Sequence, residues 1–194
     1  MGMFKSAFEK AMEKAERLGR ASPEELKRMD HIPRGNAIAA KYLRGEITNL
    51  LSEFSQYDAD VREYLVEGAL KTLLRNICLP RDTRTKQTSS KALEGILALK
   101  QNKEFVRDVF DNIEHLFTYY EAALQQAFAR LRQEIEARFS DTKKAVEQQL
   151  GSAVEIDVER QPQFQEEWRK ARAGLDAQYE KVLEEHKQRL LISA

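Results

Sequence analysis

Residues 106–150, VRDVFDNIEHLFTYYEAALQQAFARLRQEIEARFSDTKKAVEQQL, decide the fold class of this chain. Within them Val106, Val109, Ile113, Phe117, Tyr120, Leu124, Phe128, Leu131, Ile135, Phe139, Thr142, Val146 and Leu150 recur at spacings of 3, 4 and 4. Only Thr142 in that series is neither apolar nor aromatic, and no proline or glycine interrupts the stretch. An apolar stripe at this spacing marks one face of a helix, so a single helix of about 45 residues is predicted, on the order of 66 Å long. Alone, such a helix could not bury its stripe.

The partner lies downstream. Gly151 stops the long helix. Val154, Ile156 and Val158 alternate with Glu155, Asp157 and Glu159 before Pro162, which predicts a short strand within a linker over 152–160. Phe164, Trp168, Ala171, Leu175, Tyr179, Val182, His186 and Leu190 then repeat the 3, 4, 4 spacing. Eleven residues in three turns is about 3.67 per turn, close to an unstrained helix, so both stripes run nearly straight. Residues 163–191 are expected to fold back antiparallel on the distal part of the long helix. The fold class expected is all-α: a helical domain over 1–102, then a long antiparallel hairpin over 103–194 with an eleven-residue hydrophobic period.

Upstream the signals are shorter. Phe4, Phe8, Ala11, Ala15 and Leu18 predict an amphipathic helix over 3–18, stopped by Gly19. Ser22-Pro23-Glu24-Glu25 is a helix start: serine caps, proline takes the first turn, and the acids oppose the dipole. That helix is expected to end before Pro33. A further piece follows at 37–43, with a break at Gly45. Asp58 to Leu79, closed by Pro80, reads as a central core helix with Glu63, Glu67, Lys71 and Arg75 along a solvated stripe. The run RDTRTKQTSS at 81–90 has no hydrophobic residue and reads as an exposed loop.

Composition excludes several functions. Lys and Arg number 32 and Asp and Glu 32, so no bulk field favours a polyanion, and nucleic acid is not an expected partner. No window supplies the ~18 uncharged apolar residues of a membrane span. Lys5, Glu9 and Lys10 break any secretory leader, so a cytoplasmic protein is expected. Gly2 and Ser6 fit the short myristoylation pattern, which six residues meet by chance. The single cysteine, Cys78, lies among Leu74, Ile77 and Leu79 and is expected as a buried structural thiol.

Motifs for chemistry are missing. There is no phosphate loop, dinucleotide fingerprint, nucleophile elbow or paired Cys-x-x-Cys. His31, His115 and His186 are preceded at three residues by Arg28, Asn112 and Leu183, so none carries the Glu-x-x-His spacing of a bundle metal site. Asp111 and His115 share a helix face, an arrangement common on solvated surfaces. No catalytic residue, metal ligand or cofactor is assigned.

Two surfaces remain. Arg81, Arg84 and Lys86, within the basic loop 81–91 ahead of a helix, could hold a small anion or nucleotide. Phe117, Phe128, Phe139, Phe164, Trp168 and Tyr179 are too large for two helices to cover, so a further helical surface is expected, most simply a second copy or another protein's helices. The function expected is therefore that of a non-enzymatic interaction or scaffold protein self-associating through its hairpin. The alternatives are a stalk or spacer subunit and the anion binder.

Overall fold

The structure is a computed structural model that describes residue 19 and residues 21–150 and 157–192, with 141–150 described by backbone alone. The helix expected over 3–18 and the modification pattern at Gly2 lie outside the described residues. The protein is all-helical: six α-helices and one short 3-10 turn among the described residues, and no strand. We label the helices α1 (Pro23–Arg44), α2 (Leu50–Phe54), α3 (Ala59–Arg75), α4 (Thr83–Leu99), α5 (Lys103–Leu150) and α6 (Pro162–Ile192). They form two compact units. Among the described residues, the first takes those up to Ile77 and Thr88–Gln101, and the second takes Cys78–Gln87 and those from Asn102 onward.

In the first unit, α1 opens on a full capping box. The Glu25 N–H donates to Ser22 Oγ at 3.2 Å, and the Ser22 N–H donates to the Glu25 carboxylate at 2.7 Å. The helix does not end before Pro33 but runs through it to Arg44. Proline there costs one hydrogen bond, leaving the Met29 carbonyl without its helix partner. Met29 is exposed, so water can take that carbonyl. Beyond the proline, Gly35, Ile38, Ala39 and Tyr42 are buried, and their packing outweighs the local cost. Gly45 ends α1 in the left-handed region, φ 81°. Its N–H donates to Tyr42 O and that of Glu46 to Lys41 O, both at 3.0 Å, the paired bonds of a glycine C-cap.

Helices α1 and α3 cross almost backbone to backbone. A Cβ added to Gly35 would collide with the Leu65 carbonyl, and one on Gly68 would collide with that of Ile32. The first part of the interface is therefore bare backbone. Around it Leu65, Ala69 and Leu73 of α3 and Ala92, Leu93 and Ile96 of α4 are buried. Arg28 clamps Glu67 across the crossing with two bonds of 2.8 and 2.9 Å.

Four further local expectations are corrected. The core helix ends at Arg75 rather than at Pro80. The chain after it is not helical, so Ile77 and Leu79 are buried while Cys78 between them is exposed. The expectation of a buried thiol rested on the apolar neighbours Leu74, Ile77 and Leu79, which do not carry Cys78 into the core. The run at 81–90 is not a loop: α4 begins at Thr83, where Asp82 accepts the Thr85 N–H at 2.7 Å. Polar composition hid a helix start, and Ser89 is fully buried. Finally, Val158–Arg160 is a 3-10 turn rather than a strand, and 152–156 lie outside the described residues.

The second unit is built on α5, 48 residues and about 72 Å long, and α6, 31 residues. Their contacts run in opposite chain directions. Arg189 lies over the Phe105 ring, Tyr179 meets Tyr120, and Phe164 and Trp168 meet Phe128. Val106, Val109, Ile113, Phe117, Tyr120, Leu131 and Ile135 are buried along α5. On α6 the stripe departs from its expected phase at two places. Leu183 is buried where Val182 was expected, and Ala171 is exposed while Arg172 is half-buried.

Candidate functional site

Far along α5, the side chains of Leu131, Ile135, Val158 and Phe164 close a small core, with Phe128, Phe139 and Trp168 packed against it and only partly covered. The aromatic rings meet edge to face: Phe128 to Phe164 at 5.3 Å and Phe128 to Trp168 at 5.1 Å between centroids, the arrangement that the ring quadrupoles favour. Val158, delivered by the 3-10 turn, fills the end of this core.

Beside it lies an open groove of about 860 Å³, lined by Arg81, Pro162, Gln165, Glu166, Trp168, Arg169, Arg172, Ala173 and Asp176. Helix α6 supplies all of these but Arg81, which comes from the Cys78–Gln87 segment of the same unit. Two of the lining residues, Arg81 and Asp176, belong to a polar network. Tyr120 on α5 donates its hydroxyl to Asp176 Oδ1 at 2.5 Å, and Arg81 bridges Asp176 at 3.1 Å and Glu180 at 3.0 Å. The Asp176 side chain is 16% exposed, so its charge is held by these two partners rather than by water. Burial, and then the bond to Asp176, push the Tyr120 phenol above its usual range. The short bond needs that proton.

The cations singled out in the sequence are placed as follows. Arg81 is bound to two carboxylates, and Lys86 holds Glu121 at 2.9 and 3.0 Å. Arg84 is exposed on the first turn of α4. Sequence reasoning passed over Arg169 and Arg172, which flank the groove beside Trp168. Neither forms an ion pair with a described residue, whereas Glu166 is held by Lys170 at 2.8 Å, which lowers its carboxyl, with Arg169 adding to the effect. Their spacing of three residues next to a stripe tryptophan was the available signal, but such pairs usually line a solvated face. Of the proposed interface aromatics, Phe117 and Phe164 are buried within the chain, and Phe128, Phe139, Trp168 and Tyr179 are half-buried.

The histidines stand apart. His31 lies edge-on to Tyr57 and 3.7 Å from Asp30, and His115 is exposed. The Nδ1 atoms of His31 and His186 are buried without a hydrogen-bond partner. Burial, with Arg189 nearby, lowers the pKa of His186, favouring the neutral ring. Among the described residues no three His, Cys, Asp or Glu side chains are grouped to hold a metal, and no helix is long and apolar enough to cross a membrane.

A family model matches residues 51–191, from within α2 to near the end of α6, and so takes in the whole groove. The chain belongs to this family of unknown function, DUF6657. No curated protein and no solved structure matches it.

Proposed function

We propose that this protein is a non-enzymatic helical interaction protein of the cytoplasm that self-associates through the hairpin of α5 and α6. The observation that carries this reading is the half-covered aromatic rim: Phe128, Phe139 and Trp168 lean on a sealed core yet keep one side open to solvent. Large aromatics left half-open beside a rigid core have the character of interface anchors rather than of ordinary surface. Tyr119, 67% exposed, and Val182 add apolar area along the same two helices. An eleven-residue spacing would keep the seam nearly straight, so that a second hairpin could lie along it without supercoiling to the left.

Sedimentation equilibrium from micromolar to millimolar concentration tests the reading. A concentration-dependent dimer or higher oligomer, weakened by Phe139→Ser or Trp168→Ser, is expected. A monomer at every concentration overturns self-association.

A second reading, a stalk or spacer within a larger assembly, is favoured by the unbroken 48-residue α5. Purification with a large complex from the native cell supports it. Anion or nucleotide binding at Arg81, Arg84 and Lys86 finds less support, since an added anion must displace Asp176 and Glu180 from Arg81 and Glu121 from Lys86.

A further inference from the structure

We infer that the groove beside Trp168 is one half of the self-association contact, and that its occupant is the acidic face at the start of α5 from a second copy of this chain. The inference rests on the self-association reading and specifies its geometry.

The groove carries an uncancelled positive charge. Its carboxylates are taken, Asp176 by Tyr120 and Arg81 and Glu166 by Lys170, while Arg169 and Arg172 form no ion pair with a described residue. Two guanidiniums three residues apart on a helix present forks on neighbouring positions, suited to carboxylates in bidentate fashion. Trp168, which lines the groove with them, offers a flat apolar surface for whatever carries those carboxylates.

The complementary charge is on the same chain at the far end of the same unit. Glu104, Asp108 and Asp111 fall at i, i+4 and i+7 on α5, all exposed, and with Arg107 as the one cation set among them the face keeps a net negative charge. They cannot reach the groove of their own chain. Trp168 packs against Phe128, and Asp111 stands 17 residues before Phe128 along one continuous helix, a separation of about 25 Å. A second copy laid antiparallel brings its acidic face to this groove. By two-fold symmetry its own groove then receives the acidic face of the first, which closes the dimer.

Charge reversal tests the contact. Chain one carries R169E and R172E; chain two carries D108K and D111K. Each alone faces like charge at both contacts, and association should weaken by roughly 100-fold. Mixed together, the two variants have opposite charges at both contacts, so the pair should associate about as tightly as the natural chain. Circular dichroism checks that each remains helical; if one does not, R169Q with R172Q and D108N with D111N replace them, and each should weaken association less than reversal.

Restored association on mixing supports the proposal. Association unchanged in either variant, or lost in both and not restored by mixing, overturns the groove contact while self-association stands. If the natural chain is a monomer throughout, both readings fall.

Discussion

Replacing Gly35 by alanine adds one methyl group where α1 and α3 cross. Built on the backbone, that methyl lies 2.9 Å from Leu65 Cα and closer still to the Leu65 carbonyl, whereas carbon contacts normally begin near 3.4 Å. Neither neighbour is a side chain that can turn away. The helices must part, and a gap of ~1 Å forfeits up to about half of each contact's dispersion energy along a face holding Ile38, Ala39, Leu65, Ala69 and Leu73, all buried. Overpacking costs about 3 kcal/mol when backbone must move. Alanine returns about 1 kcal/mol of helix propensity. A net loss of roughly 2 kcal/mol is expected, a large share of the ~5–15 kcal/mol that holds a domain together. Gly68→Ala, facing the Ile32 carbonyl carbon at 3.0 Å and Asn36 N at 3.1 Å, should lose as much. Gly174→Ala is the internal control, because a Cβ there meets nothing within 4 Å; it should gain about 0.5–1 kcal/mol from propensity alone. Urea unfolding followed by far-ultraviolet circular dichroism gives all three midpoints. If Gly35→Ala or Gly68→Ala moves the midpoint upward alongside Gly174→Ala, the argument from close backbone approach fails.

Other expected outcomes concern the second unit. Phe164→Ala empties the fully buried centre of the distal core and should cost about 3–5 kcal/mol; a loss under about 1 kcal/mol in chemical denaturation would contradict the packing described. Tyr120→Phe removes the hydroxyl donor to Asp176 and should cost about 1–2 kcal/mol, visible as a lower melting temperature near neutral pH, whereas an unchanged melting point would mean Arg81 alone suffices. His186 has a folded-state pKa below its ordinary 6.5, so the unfolded chain binds the proton first as pH falls. Its stabilising contribution is complete above about pH 6.5 and declines below it. His186→Gln should flatten that acid-side slope in melting curves, and an unaltered slope would show that His186 is not the group responsible.

The long elements were legible because their signals are redundant. A stripe repeated over forty residues places α5 and α6 to within a few residues of their ends, and the cap at Ser22 and the stop at Gly45 have their own local chemistry. What failed were readings from a single residue or a single composition. Pro33 disfavours helix locally, yet the pair Gly35 and Gly68 lets α1 continue by a close approach that no window around Pro33 contains. RDTRTKQTSS looks like a loop because helix propensity is low and no residue is apolar, but Asp82 caps it and Ser89 is buried. Cys78 was misplaced because burial was read from its apolar neighbours, whereas in the non-helical stretch Ile77 and Leu79 are buried and the residue between them is exposed. The site was less legible still. Arg81 meets Glu180 across 99 residues, and nothing near Arg81 in the chain announces that its charge is already engaged.

Net charge illustrates the same point and bears on function. A sum of zero removes bulk attraction to polyanions, but it does not say where charges cancel. Around the distal core they cancel locally: Arg130 with Glu134, Arg132 with Glu136, Arg138 with Glu167 and Arg160 with Asp157. Exposed pairs of this kind contribute about 0–1 kcal/mol each, so their consequence for stability is small. Their consequence for the field is larger, because among the described residues lining the groove Arg169 and Arg172 stay outside any ion pair. Glu104, Asp108 and Asp111 play the opposite part at the start of α5. Residues 125–172 as a whole hold nine Lys and Arg against nine Asp and Glu, so a preference for an antiparallel pair would come from the local contact of Arg169 and Arg172 with Glu104, Asp108 and Asp111 rather than from a dipole of the whole hairpin. At ~0.1 M salt the screening length of about 10 Å confines that preference to hairpins already near contact. The charges would then set the register of the pair, and the open faces of Phe128, Phe139 and Trp168 would supply the area that holds it.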